Sequence, residues 1–148
     1  MILDERTEFA DNVVIPTALG RAIFGDTVDM SVARNVGSPP KPLYLVIQIT
    51  EAVLSAGAAT VAFELVTDAQ APVLVDGSAT VHWRSSDFPK ATLIIGFTVV
   101  IPLPGVKPEY EQFLAVLSIP GTAVLTAGKA NAFLTPTPKQ WKALKDGI

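Results

Sequence analysis

The chain has 148 residues, a formal net charge of −3 at pH 7 and no cysteine, so a disulfide framework and a zinc–thiolate site are both excluded. Apolar residues make up 49% of the chain and charged residues only 17%, yet the longest strongly apolar run, residues 93–101, is shorter than the roughly 20 residues that a membrane-spanning helix needs. We therefore expect one domain, residues 1–148, that has no membrane partner and hides part of its surface against another protein, because interface cores are depleted in charge.

Residues 1–42 are expected to form an irregular segment that closes with a Pro-rich linker at residues 38–42. The charged start predicts no secretion signal, and residues 26–32 give only a weak strand pattern. Two interpretations of the segment stay open: an arm that packs on a neighbouring chain, or an irregular first strand. We expect partner contacts from its apolar residues, and we expect the domain to fold without residues 1–15, because strong alternation begins only at Leu43. These apolar residues are Phe9, Val13, Val14 and Ile15.

Residues 43–135 are dominated by strand patterns that Gly and Pro separate. Residues 43–50 and 60–67 alternate with a period of two, which is typical of a strand with one buried face, and we expect them to pair as neighbouring antiparallel strands. Further strands are predicted at 78–84, 93–103, 110–119 and 129–135, with Pro102 indicating an edge position. The pattern predicts an all-β, jelly-roll-like antiparallel sandwich of about eight strands, followed by a short tail at residues 136–148.

Residues that could support catalysis or metal binding are sparse. The single histidine, His82, cannot supply the several imidazole ligands of a cupin-type metal site, and alternation places it opposite Val81 and Trp83, towards solvent. No nucleophile elbow accompanies the nearby Ser85, and acidic pairs such as Glu109 and Glu111 occur by chance in many strands. We expect no enzyme activity, no cofactor and no metal site. The sequence has no cluster of basic residues that could neutralise the phosphates of a nucleic acid, so we also expect no nucleic-acid partner.

Several blocks of the sequence are similar to those of one family of small phage head proteins. They are residues 1–4 with 9–11, residues 42–52 (PLYLVIQITEA), residues 56–60 (AGAAT), residues 126–129 (TAGK) and residues 141–148. The chain thereby resembles the capsid cement proteins of the Bordetella podophage type.

This resemblance implies a jelly roll that binds the outside of an icosahedral head over contacts between major capsid subunits. It also implies a homo-oligomer, with a dimer favoured, and no cofactor. Trp141, in the polar tail, is expected to dock on its own domain or on a partner. Two other classes remain open: a carbohydrate- or receptor-binding jelly roll of a phage tail or baseplate, and a cupin-like enzyme, which the single histidine disfavours.

Overall fold

The computed structural model describes residues 8–30, 43–103 and 110–135, and in these residues the backbone forms strands and no helix. The strands are β1 (Glu8–Val14), β2 (Ala22–Ile23), β3 (Val28–Asp29), β4 (Tyr44–Leu54), β5 (Thr60–Asp68), β6 (Thr80–Arg84), β7 (Phe88–Pro89), β8 (Thr98–Pro102), β9 (Phe113–Gly121) and β10 (Ala127–Thr135).

The strands form two antiparallel sheets in jelly-roll order. The first sheet has the order β1-β10-β4-β8, and the second has the order β2-β9-β5-β6, with β3 also on β9 and β7 also on β5. If β2 and β3 count as one interrupted strand and the two-residue β7 is set aside, eight strands remain, and most successive strands lie in opposite sheets. This is the jelly-roll arrangement, and it confirms the predicted fold class.

The main core lies between the two sheets and is built from the faces that alternation predicted. It contains the following side chains of β4 and β5: Leu45, Ile47, Ile49, Val61, Phe63 and Leu65. Strand β8 supplies Val99 and Ile101, which pack against the same core. Pro102 ends β8, which lies at the edge of the first sheet as predicted.

One pairing predicted from the sequence is wrong. Strands β4 and β5 do not neighbour each other, because they lie in different sheets and the link at residues 55–59 crosses between them. Strand β4 pairs with β10 and β8, whereas β5 pairs with β9, β6 and β7. Alternation specifies which face of a strand is buried, but it carries no information about which strand supplies the ladder hydrogen bonds.

The second sheet is buried on both faces over part of its area. A smaller apolar cluster lies on its outer face, where the segment between β5 and β6 packs against β5 and β9. Its buried members are Val66, Val73, Ala79, Ala115 and Leu117. This cover explains why β9 supplies buried side chains on both faces, so that Leu114 and Val116 enter the main core.

The N-terminal segment contains an integral strand, so the expectation that Phe9 and Ile15 contact a partner is wrong. Strand β1 pairs with β10, and Phe9 and Ile15 are only 1% and 0% exposed in the main core. Val13 is half-buried against that core, whereas Val14 is exposed. Trp141 lies outside the described residues.

The sequence concealed β1 because the strand is irregular. Its register against β10 shifts twice, on either side of Ala10, and such shifts disrupt the alternation that indicates a strand. Asn12 has a positive φ of 52°, a conformation that asparagine tolerates better than most residues. Its backbone N–H donates to Asn131 Oδ1 at 2.7 Å, and its side-chain oxygen accepts from Thr50 Oγ1 at 2.7 Å. These side-chain bonds hold the irregular strand in the sheet.

A pair of substitutions tests whether β1 belongs to the folded core. We expect Phe9→Ala to lower the free energy of unfolding by about 3–5 kcal/mol, because a fully buried ring is removed. Val14→Ala, in the same strand but exposed, should change it by no more than about 0.5 kcal/mol. Urea unfolding followed by circular dichroism measures both values. Equal unfolding midpoints for Phe9→Ala and wild type would restore the arm interpretation.

Candidate partner-binding surface

The most exposed large apolar side chains of the described residues gather at one end of the sandwich. Six of them have more than half of their surface exposed: Val14 (52%), Leu19 (55%), Leu54 (56%), Ile94 (56%), Ile95 (52%) and Val124 (55%). They come from the links between β1 and β2, β4 and β5, β7 and β8, and β9 and β10, or from the strand residue beside such a link. The fold therefore collects side chains that are far apart in the sequence.

Hydrogen bonds join three of these links to one another. The amide of Leu125 donates to the carbonyl of Thr17 at 3.0 Å, and the amide of Thr126 donates to the carbonyl of Leu54 at 2.8 Å. The Ser55 hydroxyl donates to the carbonyl of Val124 at 2.6 Å. Segments 15–20, 54–59 and 121–126 consequently form one continuous surface.

The fourth segment, residues 91–97, lies beside the end of β4. The amide of Val53 donates to the carbonyl of Leu93 at 3.0 Å, and the amide of Lys90 donates to the carbonyl of Ala59 at 3.0 Å. These two bonds place Ile94 and Ile95 at the side of the surface that the other three segments form.

Each of the four segments is anchored in the main core by a buried side chain. Segment 15–20 contributes Ile15, 54–59 contributes Ala59, 91–97 contributes Leu93, and 121–126 contributes Leu125. Because one residue of each link is fixed in the core and the links bond to one another, little freedom remains to be lost on binding.

None of the residues in segments 15–20, 54–59, 91–97 and 121–126 is Asp, Glu, Lys, Arg or His. We call the surface that these segments form, together with Val14, the uncharged end. Lys90 lies at its border, where its ammonium donates to the carbonyl of Ser55 at 2.7 Å. Val14 is among the residues predicted to contact a partner, and the structure places it on this surface with 52% of its surface exposed.

Acidic side chains lie at the opposite end of the sandwich. Asp29 and Asp68 both lie opposite Phe113 in their ladders, and Glu111 accepts a hydrogen bond from Thr80 Oγ1 at 2.7 Å. Gln112 donates to Asp29 Oδ1 at 3.0 Å. Acidic side chains thus concentrate at this end, whereas the cations beside the uncharged end each have an acceptor nearby in the same chain: Arg21 lies against Glu64, Lys90 against the Ser55 carbonyl, and Lys129 3.9 Å from Glu51.

His82 lies near the acidic end and is partly buried, and the prediction that it faces away from both Val81 and Trp83 is wrong. The register shifts between Leu65 and Val66, so that Trp83 pairs with Leu65 while Val81 pairs with Val66. His82 is the extra residue of this bulge, and Val81 and Trp83 therefore lie on opposite faces. A bulge cannot be read from alternation, because it reverses the alternation locally.

The His82 ring is held in a specific environment. It stacks on Tyr110 with centroids 3.9 Å apart, and its Nε2 lies 2.8 Å from Thr67 Oγ1. Burial lowers the pKa of His82, with a smaller opposing effect from the Glu111 carboxylate. Burial likewise raises the pKa of Tyr110 to about 12. Both shifts favour the neutral form of the ring.

Glu64 of β5 is buried and paired with two arginines. Arg21 Nε donates to Glu64 Oε1 at 2.9 Å, and Arg84 Nη1 lies 3.4 Å from Glu64 Oε2. Arg84 also approaches Asp87 at 3.5 Å. The carboxylate is thereby neutralised within the second sheet, and its role here is structural.

The Ser85 hydroxyl, a candidate partner for His82 near it in the sequence, is bonded to backbone groups. The Ser85 hydroxyl accepts from the amide of Phe63 at 2.9 Å and donates to the carbonyl of Ser86 at 2.8 Å, so its bonds lie elsewhere than His82. Within residues 8–30, 43–103 and 110–135 there is no group of three or more His, Cys, Asp or Glu side chains that could hold a metal ion. The same residues include no helix long and apolar enough to cross a membrane.

Comparison with models of known protein families identifies a match over most of the chain. The model of the family described as Bbp16, a Bordetella phage protein family name, matches residues 10–134. This range extends from β1 to β10 and includes the whole of both sheets apart from their outermost residues. No curated protein matches the chain.

Acid titration tests the environment of His82. Because folding lowers its pKa, the folded state favours the neutral ring, and stability is lost as the pH falls through the unfolded-state value of about 6.5 towards the folded value. Between about pH 7.5 and about pH 5.5, the free energy of unfolding should therefore fall more steeply for wild type than for His82→Gln. Urea unfolding at several pH values measures this difference. Parallel profiles would show that His82 does not change its pKa on folding.

Proposed function

The chain belongs to the Bbp16 family, and on this premise we propose that it is a phage capsid cement protein. It binds the outside of the assembled head and stabilises the contacts between major capsid subunits. In this proposal the partner is the major capsid protein, no chemical reaction is catalysed, and no cofactor is needed. The protein is made in the bacterial host and ends on the exterior of the virion capsid.

The observation that carries the proposal is the family match over residues 10–134, together with where the sequence blocks fall in the fold. The block at residues 43–52 lies on β4 and the residue before it, and the block at residues 126–129 leads into β10. These two strands pair with each other in the middle of the first sheet. The resemblance to cement proteins thus rests on the strands that organise the domain.

The surface chemistry supports binding rather than catalysis. Monomeric proteins rarely expose large contiguous apolar patches unless these bind something, and the uncharged end concentrates the most exposed apolar side chains. Three cations described near it have acceptors in the same chain: Arg21 bonds to Glu64, Lys90 bonds to a backbone carbonyl, and Lys129 lies 3.9 Å from Glu51. Together with a net charge of −3, this favours a protein partner over nucleic acid.

The mechanism that we propose is thermodynamic linkage. A protein that binds the expanded shell but not free subunits or the immature shell shifts the assembly equilibrium towards the expanded shell by mass action. One site occupied at about a hundred times its dissociation constant contributes about 2.7 kcal/mol. Because a shell offers many equivalent sites, modest stabilisation at each site adds up over the lattice.

The receptor-binding alternative has less support in the described residues. Sugar-binding modules present exposed aromatic rings for stacking. Trp83 packs instead against the main core, and Tyr110 is buried beneath His82.

Shell binding is the test of the proposed function. Purified protein is mixed with expanded shells that lack it, and with unexpanded shells as the matched control. We expect co-sedimentation with the expanded shells alone and a higher melting temperature of those shells by calorimetry, because binding to one state stabilises that state. If the protein neither co-sediments with expanded shells nor shifts their melting, and binds glycans on an array, the receptor-binding function replaces this one.

A further inference from the structure

We infer that the outer face of the first sheet is the docking site of the chain's own C-terminal tail, residues 136–148, with Trp141 as the main anchor. The inference concerns how the domain closes one of its faces, and it does not depend on the proposed binding to a capsid. It rests on the burial of that face, on the position at which β10 ends and on the sequence of the tail.

The outer face of the first sheet is buried where β4 and β10 pair. Alternation places Val46, Gln48 and Phe133 on the face opposite to the main core, and Val46 pairs with Phe133. Val46 is 0%, Gln48 1% and Phe133 2% exposed, although neither Val46 nor Phe133 belongs to either apolar cluster. Side chains on one face of a sheet stand side by side and cannot cover one another's outward ends. A further segment therefore covers this face.

The covering segment belongs to the same chain and lies outside the described residues. The exposures are those of a single chain, so no partner contributes to them. The described links cross between the sheets or join strands of the second sheet, and none joins two strands of the first sheet. The ranges outside the described residues are 1–7, 31–42, 104–109 and 136–148. Of these, the tail alone has an aromatic residue, Trp141, which can bury the largest apolar area.

The end of β10 directs the tail towards this face. Strand β10 lies between β1 and β4, and Pro136, which follows it, has no N–H for a ladder hydrogen bond. The chain therefore leaves the plane of the sheet at this point. The inner side is filled by the main core, to which Leu134 belongs, whereas Thr135 alternates to the outer face and pairs with Tyr44. The tail thus begins beside the buried face.

The apolar residues of the tail have the spacing of a short helix that packs on a sheet. Trp141, Leu144 and Ile148 follow the i, i+3, i+7 spacing of one helix face, and Pro138 suits the first turn of a helix. Lys142 falls on the opposite face, where its charge remains in water. A helix of ten residues spans about 15 Å, which is close to the length of five residues of a strand.

The face also requires hydrogen-bonding groups from its cover. Gln48 Nε2 is buried and has no hydrogen-bond partner among the described residues, whereas Gln48 Oε1 lies 3.5 Å from Asn131 Nδ2. A buried donor without an acceptor is destabilising. The tail has side-chain oxygens at Thr137 and Gln140, so it can supply an acceptor as well as apolar area.

A spin label on the tail tests the inference. Because the chain has no cysteine, Lys142→Cys gives the full-length protein a single attachment point on the solvent side of the tail. We expect this label to broaden the amide NMR signals of Val46, Gln48 and Phe133, since paramagnetic broadening falls steeply with distance. Val124→Cys, at the uncharged end, is the matched control, and its label should leave the three signals sharp. Sharp signals with the Lys142→Cys label would overturn the inference.

The same labels distinguish the other possible occupants. In a mixture of ¹⁵N-enriched protein without a label and unenriched Lys142→Cys protein with one, we expect no broadening, because the tail docks on its own chain. Broadening in the mixture would assign the face to the tail of a second copy. Broadening by a label at Thr7→Cys, with none from Lys142→Cys, would assign the face to residues 1–7. Either result would overturn the inference.

Urea unfolding measures the strength of the contact. Trp141→Ala should raise the unfolding equilibrium constant roughly a hundredfold, whereas Lys139→Ala, on the opposite face, should change it by no more than about twofold. In the Val46→Ala background the effect of Trp141→Ala should be about fivefold smaller or less, because contacting residues are coupled. In the Val66→Ala background, where the substituted residue lies on the second sheet, it should be unchanged. Equal effects in both backgrounds would contradict docking on β4.

Discussion

The pairing of β10 with both β1 and β4 is the constraint on which the rest of the structure depends. It places residues 127–135 between residues 8–14 and residues 44–54, so that segments from the two ends of the described chain close the first sheet. Gly128 allows the close approach at the start of this strand. Its φ is 145°, and a Cβ there would lie 2.9 Å from a methyl group of Val53. The amide of Ile15 donates to the carbonyl of Gly128, which extends the contact to the first link.

Closure of the first sheet determines what lies at each end of the sandwich. In the jelly-roll order, the links after β1, β4, β7 and β9 all cross at one end. Segments 15–20, 54–59, 91–97 and 121–126, which make up most of those links, carry no charged residue, whereas Asp29, Asp68 and Glu111 lie at the other end. The order of the strands therefore brings the charge-poor links together at one end of the sandwich and the acidic residues together at the other. A domain with one apolar and one acidic end is suited to a defined orientation in an assembly.

The buried ionisable groups serve the fold. Glu64 is paired with Arg21 and Arg84, and the partly buried His82 ring contacts Thr67 and stacks on Tyr110. A buried carboxylate or imidazole in a cleft is often a reactive group, but here each one is engaged with neighbouring side chains of its own chain. The described surface also presents its most exposed large apolar side chains at one end of the sandwich.

The sequence by itself determined the fold class, the core faces of β4, β5 and β8, and the low charge of the links at one end, because side-chain alternation and composition are local properties. The tertiary structure alone decided that β1 belongs to the sheet, that β4 and β5 lie in opposite sheets, and that His82 sits in a bulge. Strand pairing, bulges and register are set by hydrogen bonds between residues far apart in the chain, and alternation does not encode them. For the same reason the sequence does not reveal the candidate surface. No local pattern distinguishes Leu19, Leu54, Ile94 and Val124, which come together only when the two sheets have formed.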